Sequence, residues 1–97
     1  MIKEIIASAI KFYEVGNEYP VIMCGKRHSD ILKRMYNLGI QYDKPSSIQG
    51  FLTTDNKFLN RTEAFLIANI SGQLLPEAVK KYKDVSIAEL YSEDIFE

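Results

Sequence analysis

The sequence predicts a small α+β domain. Its antiparallel sheet is built from an N-terminal hairpin plus a second hairpin, packed with two main helices and a short third helix. Three observations lead there. Apolar residues alternate at the start of the chain. Further on they recur twice at helical spacing, and glycine- or proline-containing turns separate the segments. The 97 residues make a single domain, 1–97. A chain this size buries roughly two-thirds of the surface its unfolded form exposes, enough for one modest core. A deep private cavity would compete with that core for side chains. Sites shared between subunits are therefore expected.

Each element has its own signal. From Ile5 to Tyr13, Ile6, Ser8, Ile10 and Phe12 fall on one side and Ala7, Ala9 and Lys11 on the other. This is a strand with one buried face. Glu14 to Glu18 is a turn, where Gly16 and Asn17 tolerate positive φ. The continuous apolar run Val21-Ile22-Met23-Cys24 reads as a buried strand that completes the first hairpin and ends at Gly25. Ile31, Leu32, Met35 and Leu38 then define a helix stopped by Gly39. Ser29 and Asp30 favour its start by capping and by charge.

After the polar connection Gln41 to Ser47, residues Ile48 to Asn60 read as a tight hairpin with Asp55-Asn56 at its tip. That register pairs Thr53 with Phe58, Leu52 with Leu59 and Phe51 with Asn60. It turns Leu52 and Leu59 to the core and leaves Phe51, Thr53, Phe58 and Asn60 on the opposite face. Asn60 and Glu63 form a capping box for the helix Arg61 to Ser71, which Gly72 stops. Pro76 to Tyr82 is a short third helix. The tail Ile87 to Ile95 is compatible with a strand or a helical turn.

Composition bounds the function. The net charge is −1, so no global positive field draws in a DNA or RNA polymer or an anionic membrane. The single Cys24 has no intrachain partner, which fits a reducing compartment. The start Met1-Ile2-Lys3-Glu4 carries a charge pair before a short apolar stretch, neither signal peptide nor membrane span. A cytoplasmic protein is expected.

Two places suit a ligand. Gly25, Lys26, Arg27 and His28 lie between a strand and a helix start, the arrangement of an anion cradle, though the spacing is not that of a Walker loop. A strand-to-helix turn with solvated basic residues has the same pattern. The second place is the face of Phe51, Thr53, Phe58 and Asn60, with Arg61 beside it. Phenylalanine stacks a purine for about 1–3 kcal/mol. Asparagine reads an adenine edge, and Arg61 at a helix start meets phosphate. A subunit interface has the same composition.

Catalysis has weaker support. His28 is the lone histidine, and Cys24 closes an apolar run that packs into a core. One Cys and one His do not make a zinc site, and no metal or other cofactor is expected. The carboxylates Glu77, Asp84, Glu89, Glu93 and Asp94 are scattered, the last two in what reads as a solvated tail. No enzymatic activity is expected.

Gly25 to Asp30, Gly50 to Ala64, Ile67-Ala68, Gly72-Gln73 and Leu90 to Ile95 follow one another in an order that resembles the phage anti-Thoeris sponge family, the first type described. The likeness runs from about Ile5 to Ile95. It implies sequestration, without cleavage, of the cyclic ADP-ribose isomers made by TIR-domain defence enzymes, and for some members of cyclic oligonucleotides. It also implies self-association into dimers and hexamers in the host cytosol during infection. It puts Phe51, Phe58, Asn60 and Arg61 near adenine and phosphates, and makes Arg27 and His28 a second phosphate place. The chain departs from that pattern at Lys57, at Ser71 and in the length of Leu75 to Val85. A second reading is a phage protein that inhibits a host protein through the same aromatic face. A third is a phosphodiesterase using His28 and Asp30.

Overall fold

The computed structural model describes residues 3–97. Four strands form one antiparallel sheet in the order β2-β1-β3-β4: β1 Ile5–Phe12, β2 Val21–Gly25, β3 Ile48–Thr53 and β4 Phe58–Asn60. Three helices accompany it: α1 His28–Asn37, α2 Arg61–Ser71 and α3 Pro76–Lys81. This is the α+β architecture that the sequence predicts.

Alternation sets the layers. Ser8, Ile10, Phe12, Phe51 and Thr53 are buried on one face of the sheet, and both main helices pack there. One cluster joins Ile10 and Phe12 to Ile31 and Met35 of α1. The other joins Ile5 and Phe51 to Ala64, Phe65 and Ala68 of α2, with Leu90 and Ile95 from the C-terminal segment. Each large side chain so buried contributes about 1.5–3 kcal/mol.

Several expectations are corrected. Ile6 does not share the face of Ser8 and Ile10. The β1–β3 register shifts between Ile5 and Ala7, and this bulge turns Ile6 outward and Ile5 inward. The run Val21–Gly25 forms an edge strand that is only half-buried. In the first turn Gly16 takes positive φ and Asn17 does not. Neither Ser29 nor Asp30 caps α1, whose N-cap residue is Arg27, without a side-chain cap bond; Asp30 does place its negative charge in the first turn, as expected. The C-terminal segment is not a solvated tail. Its Ser92–Asp94 turn is 3₁₀-helical, with Ser92 and Asp94 buried.

The largest correction is the second hairpin. Its loop holds three residues, not two. The Thr53 amide donates to the Lys57 carbonyl, and Asn56 sits at φ 64°. The register is therefore Gly50 with Asn60, Phe51 with Leu59 and Leu52 with Phe58, one residue from the expected one. Phe51 and Thr53 turn to the core together with Leu59. Leu52, Phe58 and Asn60 take the opposite face.

Other signals hold as read. Asn60 Oδ1 accepts from the Glu63 amide at 2.8 Å, while Glu63 Oε1 accepts from the Asn60 amide at 3.0 Å. Gly39 and Gly72 close their helices at φ 68° and 76°. Gly50 is fixed by space. A Cβ there would lie 2.0 Å from the Leu59 carbonyl oxygen and 2.7 Å from the Phe58 ring. Since a backbone carbonyl cannot swing aside, Gly50→Ala is expected to cost about 1–3 kcal/mol or more through overpacking. Urea unfolding measures this; an unchanged midpoint would contradict the close approach.

Candidate functional site

The site grows from the centre of β3. Gly50 and Phe51 lie beneath the first turn of α1, where the His28 ring stands edge-on to Phe51, 5.1 Å between centroids. His28 Nε2–H donates to the Gly50 carbonyl at 2.7 Å, so in the neutral ring Nδ1 carries no proton. Burial pushes the imidazole below its ordinary value. The Gly50 and Ala9 carbonyls and Glu93 pull it up, and Arg61 pushes it further down. His28 is thus a neutral, buried ring that ties α1 to the sheet.

Arg61 lies close by at the first position of α2. Its guanidinium stacks on the Tyr91 ring at 4.4 Å, donates to Gln49 Oε1 at 2.5 Å and reaches the Leu90 carbonyl at 3.4 Å. The Leu90 amide in turn donates to the Arg61 carbonyl at 3.0 Å. The C-terminal segment thereby becomes one wall of the site. Asp94 holds that wall. Its carboxylate accepts from the Tyr82 hydroxyl at 2.8 Å and the Tyr91 amide at 2.9 Å, and pairs with Lys81 at 3.6 Å.

The expected constellations divide. Phe51 and Thr53 are buried and present nothing to solvent. Thr53 spends its hydroxyl on the hairpin turn, donating to Asp55 and accepting from the Lys57 amide. Phe58 is half-buried on the outer face, its ring over Gly50. Asn60 is exposed, but its side-chain oxygen caps α2. The cause is the one-residue register, which separates Phe51 and Thr53 from Phe58 and Asn60. Arg61 alone of this set enters the polar cluster.

At the first turn of α1, Gly25 is half-buried, Lys26 is exposed, Arg27 is half-buried and His28 is inside. The opening N–H groups of α1 have no side-chain cap. An uncapped helix start beside basic residues suits an anion. An anion at this helix start would meet backbone, Lys26 and Arg27, with His28 packed behind them. Gln49, Tyr91 and Glu93 complete the neighbourhood. Sequence spacing could not find Gln49 or Tyr91, because they reach the site from another strand and from the end of the chain.

The structure does not bring Cys24 and His28 together. Cys24 shares the outer face with its strand partner Ala9, whereas His28 packs on the inner face against Phe51. Cys24 is not in the core, contrary to expectation, but half-buried at an edge strand. Burial pushes its thiol up, more than Arg34 pulls it down, and a protonated thiol is a poor nucleophile. Asp30 is exposed while His28 is inside. Among the described residues no three His, Cys, Asp or Glu side chains gather to hold a metal ion. No helix among them is long and apolar enough to cross a membrane.

The depressed histidine sets a pH dependence. The unfolded chain takes up a proton near the ordinary value of 6.5 and the folded chain only at lower pH. Stability is full above that value and falls as pH drops through the window below it. His28→Gln keeps a donor for Gly50 and removes the titration. Its thermal unfolding is expected to vary less than wild type between pH 7.5 and about 5.5; equal slopes would show that His28 does not titrate differently on folding.

No curated protein and no solved structure matches this chain. Residues 4–96 match the family model described as phage T4 y16D protein, and the chain belongs to that family.

Proposed function

We propose that this protein is a phage anti-defence sponge. It binds a cyclic nucleotide immune signal in the host cytoplasm and holds it without cleaving it. The observation that carries this reading is Arg61. Its guanidinium is held over the Tyr91 ring and oriented by Gln49, near His28 at the uncapped start of α1 that follows Arg27. A pre-oriented guanidinium, an aromatic ring and a row of free backbone N–H groups together suit a compact anion with a base attached. Sequestration needs affinity and no turnover, so a neutral histidine engaged with a backbone carbonyl is no handicap. The likeness to the anti-Thoeris sponges makes cyclic ADP-ribose isomers the first ligand class and cyclic oligonucleotides the second. Membership of a phage family fits an anti-defence role.

In this reading Arg61, Tyr91, Gln49, Arg27 and Lys26 contact the ligand. Phe58 and Asn60, at the neighbouring corner, complete it with a second subunit of a dimer or hexamer. Phe51, Thr53, Gly25 and His28 shape the site from behind. A second reading has the same corner bind and inhibit a host protein. The exposed Tyr91 ring and half-buried Phe58 favour it, since aromatics and arginine are common at such contacts.

Calorimetric titration with cyclic ADP-ribose isomers and cyclic oligonucleotides separates the two. The sponge gives saturable heat, and mass spectrometry recovers the ligand intact from the heated complex. Absence of heat for every ligand would overturn the sponge. Arg61→Lys keeps the charge but loses the planar fork, and is expected to weaken binding by about 1–3 kcal/mol. Asn60→Ser retains a capping oxygen, so stability should change little. A fall in affinity in that variant would assign the lost amide to the ligand.

A further inference from the structure

Both main helices pack on one face of the sheet, and the other face is apolar. Alternation places Ile22 and Cys24 of β2, the fully buried Ala9 of β1, Ile48 and Leu52 of β3 and Phe58 of β4 on it. None of these six belongs to either core cluster or to the side chains packed on those clusters. Ile22 is 42% exposed and Ile48 44%. The bulge in β1 adds Ile6 at 54%. A four-stranded sheet with one face on a core ordinarily turns polar side chains to water on the other. Lys11, between Ile22 and Ile48, is the one charged residue of β1 to β4 on this face, and the polar Asn60 is exposed at its edge. An exposed apolar patch of this kind marks a contact surface.

The chain also exposes more surface than a compact domain of its mass. The surface of the chain is 6362 Å². A folded monomer of this mass exposes about 5,650 Å², so the excess is about 700 Å². The radius of gyration is 14.0 Å, against about 12.5 Å for a self-contained domain of this length. A stable dimer of standard size hides about 800 Å² on each partner. The excess is of the order that such a dimer hides on one partner.

We propose that this face packs against the same face of a second copy of the chain, sheet on sheet, about a two-fold axis. Charge selects the direction of the axis. Lys11 stands at one end of β1, and Glu4 stands at the other, where its carbonyl accepts from Thr54 beside the hairpin tip. An axis along the strands would confront two lysines. An axis across the strands lays each Lys11 over the Glu4 end of its partner, and the lysine stem covers apolar surface while its ammonium stays at the rim. The pairing is argued from the sheet face, which meets the ligand corner only at Phe58, and its test uses no ligand.

Sedimentation velocity on the full chain is expected to give twice the 11.1 kDa chain mass. The double variant Ile22→Lys, Leu52→Lys should sediment as a monomer with an unchanged circular dichroism spectrum. Ile70→Lys, on an outward position of α2 that is 81% exposed, should leave the dimer intact. The Cys24 thiol is a native reporter. It should react with an aromatic disulfide several-fold faster in the double variant, or on dilution of the wild type, than in the concentrated wild type. A monomeric wild type, as a lipid surface or a foreign protein on this face would give, overturns the proposal. So does a dimer broken by Ile70→Lys and spared by the double variant. Should the double variant not fold, a wild-type thiol as reactive when concentrated as when dilute overturns it equally.

Discussion

Much of this structure depends on one turn. With Asn56 in the left-handed region, the β3–β4 loop holds three residues, and Thr53 meets Lys57 rather than Phe58. Side chains on a strand alternate, so the extra loop residue reassigns every side chain of β4 relative to β3. Phe51 and Leu59 go inward together, and Leu52 and Phe58 go outward together. Phe51 then anchors the α2 cluster and meets His28 of α1, so both helices are placed from one strand residue. The same register sets Gly50 against the β4 backbone, at a separation where only hydrogen fits.

The site follows from that anchoring. His28 seats the start of α1 on β3, and the Asn60–Glu63 box seats the start of α2 at the end of β4. Two helix starts are brought to one corner of the sheet. The C-terminal segment closes the corner through reciprocal contacts, Leu90 with the Arg61 backbone and Tyr91 beneath the Arg61 guanidinium. Asp94 is buried, yet both of its oxygens are engaged, one by Tyr82 and Tyr91 and the other by Lys81. Buried carboxylates persist only when paired in this way. The tail is thus part of the site because its own polar groups are satisfied there.

Placing both helices on one face has a cost for so short a chain. With 97 residues, two helices and an irregular tail cover one side of four strands. The opposite side keeps isoleucine, leucine and phenylalanine at positions where a solvated sheet carries polar residues. A ligand corner at the edge of the sheet and an apolar face across its width meet at Phe58 and are otherwise different surfaces. One protein can therefore use the first for a small molecule and the second for a copy of itself.

The sequence by itself determined the α+β class, the extent of most elements, the capping box at Asn60 and Glu63, and the glycine stops at Gly39 and Gly72. These are local matters, decided by periodicity and by groups a few residues apart. It also singled out Arg61 and the start of α1, because a helix N-terminus can be read from its neighbours. Tertiary structure decided the rest. The pattern Phe51-Leu52-Thr53 is equally apolar on both faces, so alternation could not say which face went inside. A three-residue loop and a bulge at Ile6 settled it. Gln49 and Tyr91 joined Arg61 only through pairing across 12 and 30 positions of chain, separations over which no sequence period extends.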